Sequence, residues 1–148
     1  MQEVTGRESP VVLNTGRVGG MKQTILLVED EEMVRALMCE VLEREGYQVL
    51  SCCHPQEGIE VSLRHGGHID LLLTDVVMPG MNGRDMANEI LQSLPELRVV
   101  FMSGYTEHVL THEGEVDQKF EYLQKPFTLQ TLMRKLERVL GNVEEQVQ

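Results

Sequence analysis

The chain has 148 residues, room for one ordinary domain and too few for two. Its 41% hydrophobic and 25% charged content excludes a disordered chain, and the formal charge of −11, from 24 acidic against 13 basic residues, argues against nucleic acid or an anionic membrane as a direct partner. No apolar run approaches the ~20 residues of a membrane span and no signal-peptide pattern is visible, so the expected location is the cytoplasm, with no membrane contact by this segment.

Residues 1–22 carry no period and hold Gly6, Pro10, Gly16, Gly19 and Gly20, the composition of a flexible linker or lead-in. Residues 23–140 form the expected domain. Thr24–Val28 is a short continuous apolar run, as a strand buried on both faces requires. Met33, Val34, Leu37, Met38, Val41 and Leu42 then recur at helical spacing, and Gly46 stops that helix. Tyr47–Leu50 predicts a second strand, and Pro55 opens a weaker helix toward His65. Ile69–Thr74 is a third apolar run. Met86, Ala87, Ile90 and Leu91 mark a helix closed near Pro95, and Arg98–Met102 a fourth strand. A short irregular helix is expected within 106–119, then a strand over Glu121–Leu123. Leu129, Leu132, Met133, Leu136, Val139 and Leu140 give a final helix before a frayed acidic tail, 141–148. A βα unit repeated five times predicts an α/β fold with a five-stranded parallel sheet, doubly wound with helices on both faces, and with its site at the carboxyl ends of the strands.

Three cysteines, Cys39, Cys52 and Cys53, are an odd number with one adjacent pair, and are read as reduced thiols of a cytosolic protein. The string Cys52-Cys53-His54 has metal-binding residue types, but no further residue with ligand spacing stands out beside it, so packing is the preferred role. His65 and His68 flank two glycines and read as an exposed loop.

The strand ends carry the chemistry. The first ends in Glu29-Asp30-Glu31-Glu32, the third in Asp75 and the fourth in Ser103-Gly104, and Lys125-Pro126 follows the fifth. Carboxylates gathered at one sheet edge repel each other, and a hard divalent cation such as Mg²⁺ offsets that repulsion. A lysine and a hydroxyl beside carboxylates and Mg²⁺ are what a phosphoryl group requires. Glu31 and Glu32 are better read as acids favouring a helix N-terminus.

Four segments, ILLVEDEE at 25–32, LLLTDVVMPGMNG at 71–83, FMSGY at 101–105 and YLQKPF at 122–127, resemble the receiver domain of two-component response regulators and hybrid histidine kinases. The resemblance covers essentially all of 23–140. It implies a flavodoxin-like fold, Asp75 as phosphoacceptor, and Mg²⁺ bound by Asp30, Asp75 and the Val77 backbone carbonyl, with Glu29 acting through water. It also implies that Ser103 and Lys125 contact the phosphoryl group, that Lys125-Pro126 is a cis peptide, and that Ser103 and Tyr122 form a switch. The implied partner is a histidine kinase or histidine phosphotransfer domain, and the chain is expected to be a monomer or weak dimer. The expected function is phosphoryl acceptance in a phosphorelay, as the C-terminal receiver of a hybrid sensor kinase or as a stand-alone regulator, with no enzymatic turnover of its own. A degenerate receiver that only binds protein is the alternative. A phosphatase would want a second acid two residues after Asp75, where Val77 stands. Val77 and Tyr105, two positions after Asp75 and Ser103, offer no carboxylate or amide to orient a water, so the phosphorylated form is expected to be long-lived.

Overall fold

The computed structural model describes residues 22–104 and 120–141. Nine elements follow in chain order: β1 Thr24–Val28, α1 Glu32–Arg44, β2 Gln48–Cys52, α2 Pro55–His65, β3 Leu71–Asp75, α3 Gly83–Ser93, β4 Arg98–Ser103, β5 Glu121–Gln124 and α4 Leu129–Leu140. A short 3₁₀ turn, Gly66–His68, precedes β3. The expected helix within 106–119, the lead-in through residue 21 and the tail from residue 142 lie outside the described residues.

All five strands are parallel, in the order β2-β1-β3-β4-β5. β1 and β3 sit inside the sheet and are buried at every position, which is why they read as unbroken apolar runs rather than alternating ones. The side chains of the inner strands, β4 included, split between two cores. Leu26, Val28, Leu72 and Phe101 pack with Ile59 of α2 and Met86, Ala87 and Ile90 of α3. Ile25, Leu27, Leu71, Leu73 and Val100 pack with Met38 and Leu42 of α1 and Leu132, Leu136 and Val139 of α4. Helices therefore cover both faces, as a doubly wound sheet requires.

Local chemistry sets the boundaries. Asn82 caps α3 by accepting from the Asp85 backbone N–H at 2.9 Å, so that helix begins at Gly83, a turn before its first buried aliphatic residue, Met86. Thr128 caps α4 through the Thr131 N–H at 3.1 Å, and Gly141 ends it in the left-handed region at φ 74°. β2 runs on to Cys52, past the expected end at Leu50, because its pairing with β1 continues to Val28–Cys52. The three cysteines are free thiols, and burial pushes that of Cys52 up to about 12. On α1 the apolar stripe is wider than its buried face: Met33 is 84% and Leu37 61% exposed, whereas Met38 and Leu42 are buried.

Candidate functional site

β1 leads to β2 on one side of the sheet and the chain then returns to β3 on the other, so the helices that follow β1 and β3 diverge and leave a crevice at the carboxyl ends of those two strands. Glu29 and Asp30 follow β1 there, and Asp75 ends β3. A carboxylate oxygen of each lies within 4.8 Å of the others. Glu29 and Asp75 are buried, at 1% and 4% exposure, and Asp30 faces solvent.

β4 and β5 bring the remaining groups. Ser103, in register one step beyond the Asp75–Met102 pair, is fully buried at the end of β4. The Lys125 N–H donates to the Ser103 carbonyl at 2.8 Å, which fixes the start of the turn after β5. The Lys125 side chain then reaches across β4, and its Nζ stands 2.6 Å from Asp75 Oδ1. The Lys125–Pro126 peptide is cis, as the resemblance implies. Behind Asp75 the loop folds back on itself. Gly80 takes φ 94°, and the Gly83 N–H donates to the Val76 carbonyl at 2.6 Å. A Cβ on Gly83 would collide with the Asp75 carbonyl oxygen, so the close approach requires glycine. Val77 lies in this loop and is exposed.

Among the described residues, three buried side-chain atoms lack a hydrogen-bond partner: Glu29 Oε1, Asp75 Oδ1 and Ser103 Oγ. All three belong to this crevice. Asp75 Oδ1 has the Lys125 ammonium at ion-pair distance but no aligned hydrogen bond, so the contact neutralises charge without satisfying the oxygen's directional demand. Leaving such atoms unpaired costs about 1–3 kcal/mol each, and their concentration at one place marks a site built for something other than stability. Burial pushes the Asp75 carboxyl from 3.8 up to about 7. The neighbouring Glu29 carboxyl acts in the same direction, and Lys125 opposes it. Such a site has more negative charge than its one ammonium can balance, and oxygen ligands that suit a hard divalent cation.

Residues 25–137 match the profile of the response regulator receiver domain. The chain belongs to that family. The receiver is 36% identical over 117 residues to sensor kinase CckA of Brucella abortus (strain 2308), a match covering 79% of this chain and 12% of CckA. It is 32% identical over 117 residues to the response regulator receiver protein CpdR of the same strain, covering 78% of this chain and 95% of CpdR. The crystal structure of a response regulator receiver domain protein from Clostridium thermocellum is similar at a TM-score of 0.71 and 28% identity, over 80% of this chain and 94% of that one. These likenesses place the receiver in two-component signalling with the flavodoxin-like order of strands. No helix among the described residues is long and apolar enough to cross a membrane.

The structure brings Glu29, Asp30, Asp75, Ser103 and Lys125 to one crevice. Tyr122 pairs with Phe101, two register positions before the Ser103–Gln124 pair. Its ring stacks on Phe101 at 5.5 Å between centroids, and its hydroxyl accepts from Arg84 Nη1 at 2.7 Å. Arg84 was not singled out in the sequence. Its guanidinium also lies 5.9 Å from the Phe101 ring centre and 5.4 Å from that of Phe120, a cation–π arrangement. The available signal is a cation in the first turn of α3, where the helix dipole disfavours one. A second such residue is Arg35, whose Nη1 donates to the Glu29 carbonyl at 2.8 Å and steadies the acidic turn. Tyr105 lies outside the described residues.

Proposed function

We propose that this receiver accepts a phosphoryl group on Asp75 from a phosphohistidine of a histidine kinase or histidine phosphotransfer domain. Convergence on one crevice of buried Glu29 Oε1 and Ser103 Oγ, which have no hydrogen bond, with the Asp75 carboxylate and its Lys125 ion pair carries the reading. Glu29, Asp30, Asp75 and the Val77 backbone carbonyl are the groups that would hold Mg²⁺, with Glu29 acting through water. The ion would supply positive charge against the carboxylates and the incoming phosphoryl oxygens.

In the step itself an Asp75 carboxylate oxygen forms a bond to phosphorus as the phosphorus–nitrogen bond of the donor breaks. The electron pair of that bond leaves with the imidazole, so one phosphoryl group moves and no redox change occurs. Lys125 stands within reach of the acceptor carboxylate and would neutralise a phosphoryl oxygen. The buried Ser103 hydroxyl, with no partner of its own, is available to donate to another. Gly83 keeps the loop tight behind Asp75, so the acceptor does not retreat under attack. The reaction is stoichiometric acceptance, without turnover by the chain.

Similarity to CckA and to CpdR supports two settings, the receiver segment of a hybrid kinase and a stand-alone regulator. Titration with beryllofluoride or acetyl phosphate, with and without Mg²⁺, tests the reading. Saturable, Mg²⁺-dependent modification that Asp75→Asn abolishes is the expected result. A folded protein that takes up neither reagent would make the chain a binding module only.

A further inference from the structure

At the carboxyl end of β2 a second cluster gathers that phosphoryl acceptance does not use. Cys53 Sγ, a ring nitrogen of His54 and a carboxylate oxygen of Glu57 all lie within 4.8 Å of one another. The sequence shows Cys53 and His54 side by side, but the third member becomes visible only once α2 is in place. Pro55 starts that helix, and Glu57, in its first turn, folds back so that Oε1 accepts from the Cys53 N–H at 2.9 Å. The same oxygen stands 3.4 Å from Cys53 Sγ. Cys53 and His54 are exposed and Glu57 is half-buried, so an ion has an open route in. Cys52 does not compete, since its side chain is buried in the core under α2 and α3.

The geometry points to a zinc-type divalent metal site made by Cys53, His54 and Glu57. One sulfur, one imidazole nitrogen and one carboxylate oxygen form a mixed donor set that suits Zn²⁺ or Co²⁺ and discriminates against Mg²⁺, which prefers oxygen alone. Three protein ligands leave a fourth tetrahedral position for water. Binding forms a metal–sulfur bond and releases the thiol proton to solvent, with no change of oxidation state. The bond from the Cys53 N–H to Glu57 Oε1 holds the carboxylate toward the thiol. The Glu29 N–H donates to the Cys52 carbonyl at 3.1 Å, so this cluster and the oxygen-only cluster of Glu29, Asp30 and Asp75 sit on neighbouring strand ends, sorted by donor softness.

Titration of the full chain with Co²⁺, followed by Zn²⁺ displacement against a chromophoric chelator, tests the assignment. With excess Mg²⁺ present to occupy the oxygen cluster, we expect one equivalent bound through sulfur, with a sulfur-to-cobalt charge-transfer band in the near ultraviolet. Cys53→Ser should remove that band, and Cys53→Ser, His54→Gln and Glu57→Gln should each weaken Zn²⁺ binding about tenfold or more. Cys39→Ser and Asp75→Asn should leave band and affinity unchanged, the latter separating this site from the phosphoacceptor crevice. Glu57→Gln keeps an oxygen to cap Cys53, and its circular dichroism should match the parent. Absence of a saturable equivalent, a band that survives Cys53→Ser, or equal loss of affinity in Asp75→Asn would overturn the proposal.

Discussion

Replacing Asp75 with Asn should stabilise the protein while removing its phosphoryl acceptor. The Asp75 carboxylate is 4% exposed, faces the Glu29 carboxyl and has one ammonium against it. Its rise from 3.8 to about 7 means that the folded state keeps a proton the unfolded chain has lost. Between those two values the folded state binds more protons, so stability falls as pH rises through the window and levels off above about 7. Below 3.8 both states are protonated and the penalty vanishes. At about 1.4 kcal/mol for each pKa unit the full penalty is roughly 4 kcal/mol as an upper limit. Solvent reaching the crevice past Lys125 screens the charges, and a gain of about 1–3 kcal/mol for the Asn variant near pH 8 is the expected outcome. Urea unfolding of both proteins from about pH 5 to 8, in Mg²⁺-free buffer, reads the difference directly. The gap should widen with pH. Added Mg²⁺ should narrow it, because a ligand that binds only the folded wild type stabilises only that protein. Parallel stability profiles, or an Asn variant less stable than wild type near pH 8, would refute the reasoning.

Three further outcomes follow from the same geometry. Gly83→Ala would drive a methyl group into the Asp75 carbonyl, with the carbonyl carbon at 3.0 Å and Val76 Cα at 3.3 Å, so backbone must shift; a loss of about 1–3 kcal/mol in urea unfolding and slower phosphoryl uptake are expected. Arg84 donates to the Tyr122 hydroxyl, so if Tyr122 turns on phosphorylation, Tyr122→Phe and Arg84→Ala should change the beryllofluoride-induced NMR shifts non-additively, with a coupling of about 0.5–3 kcal/mol in a double-mutant cycle. Val77→Asn, at an exposed position two residues past Asp75, should shorten the lifetime of the phosphorylated form by roughly tenfold or more, measured as loss of labelled phosphate.

The fold was legible because its central strands are buried on both faces. Residues 24–28 and 71–74 are apolar apart from Thr24 and Thr74, as strands buried on both faces require, and their alternation with helical periods selects a parallel sheet covered by helices. The crevice was legible for a related reason: polar residues at the ends of such strands have no structural role in the core, so Asp30, Asp75, Ser103 and Lys125 stood out. Three features did not. Arg84 and Tyr122 are 38 residues apart, and a long side chain reaching over two aromatic rings leaves no local spacing to read. Glu57 joins Cys53 and His54 only through the direction in which α2 starts. Met33 and Leu37 share a helical period with Met38 and Leu42, but α1 presents only part of that stripe to the sheet, and periodicity does not say how wide the covered face is.

Peptide mapping after borohydride reduction tests the central claim most directly. An acyl phosphate on an aspartate is reduced to homoserine, which marks the modified position by mass. After incubation with acetyl phosphate and Mg²⁺, homoserine should replace aspartate at position 75 alone, and chelation of Mg²⁺ should prevent it. Homoserine at Asp30 or at another position, with Asp75 intact, would contradict the account.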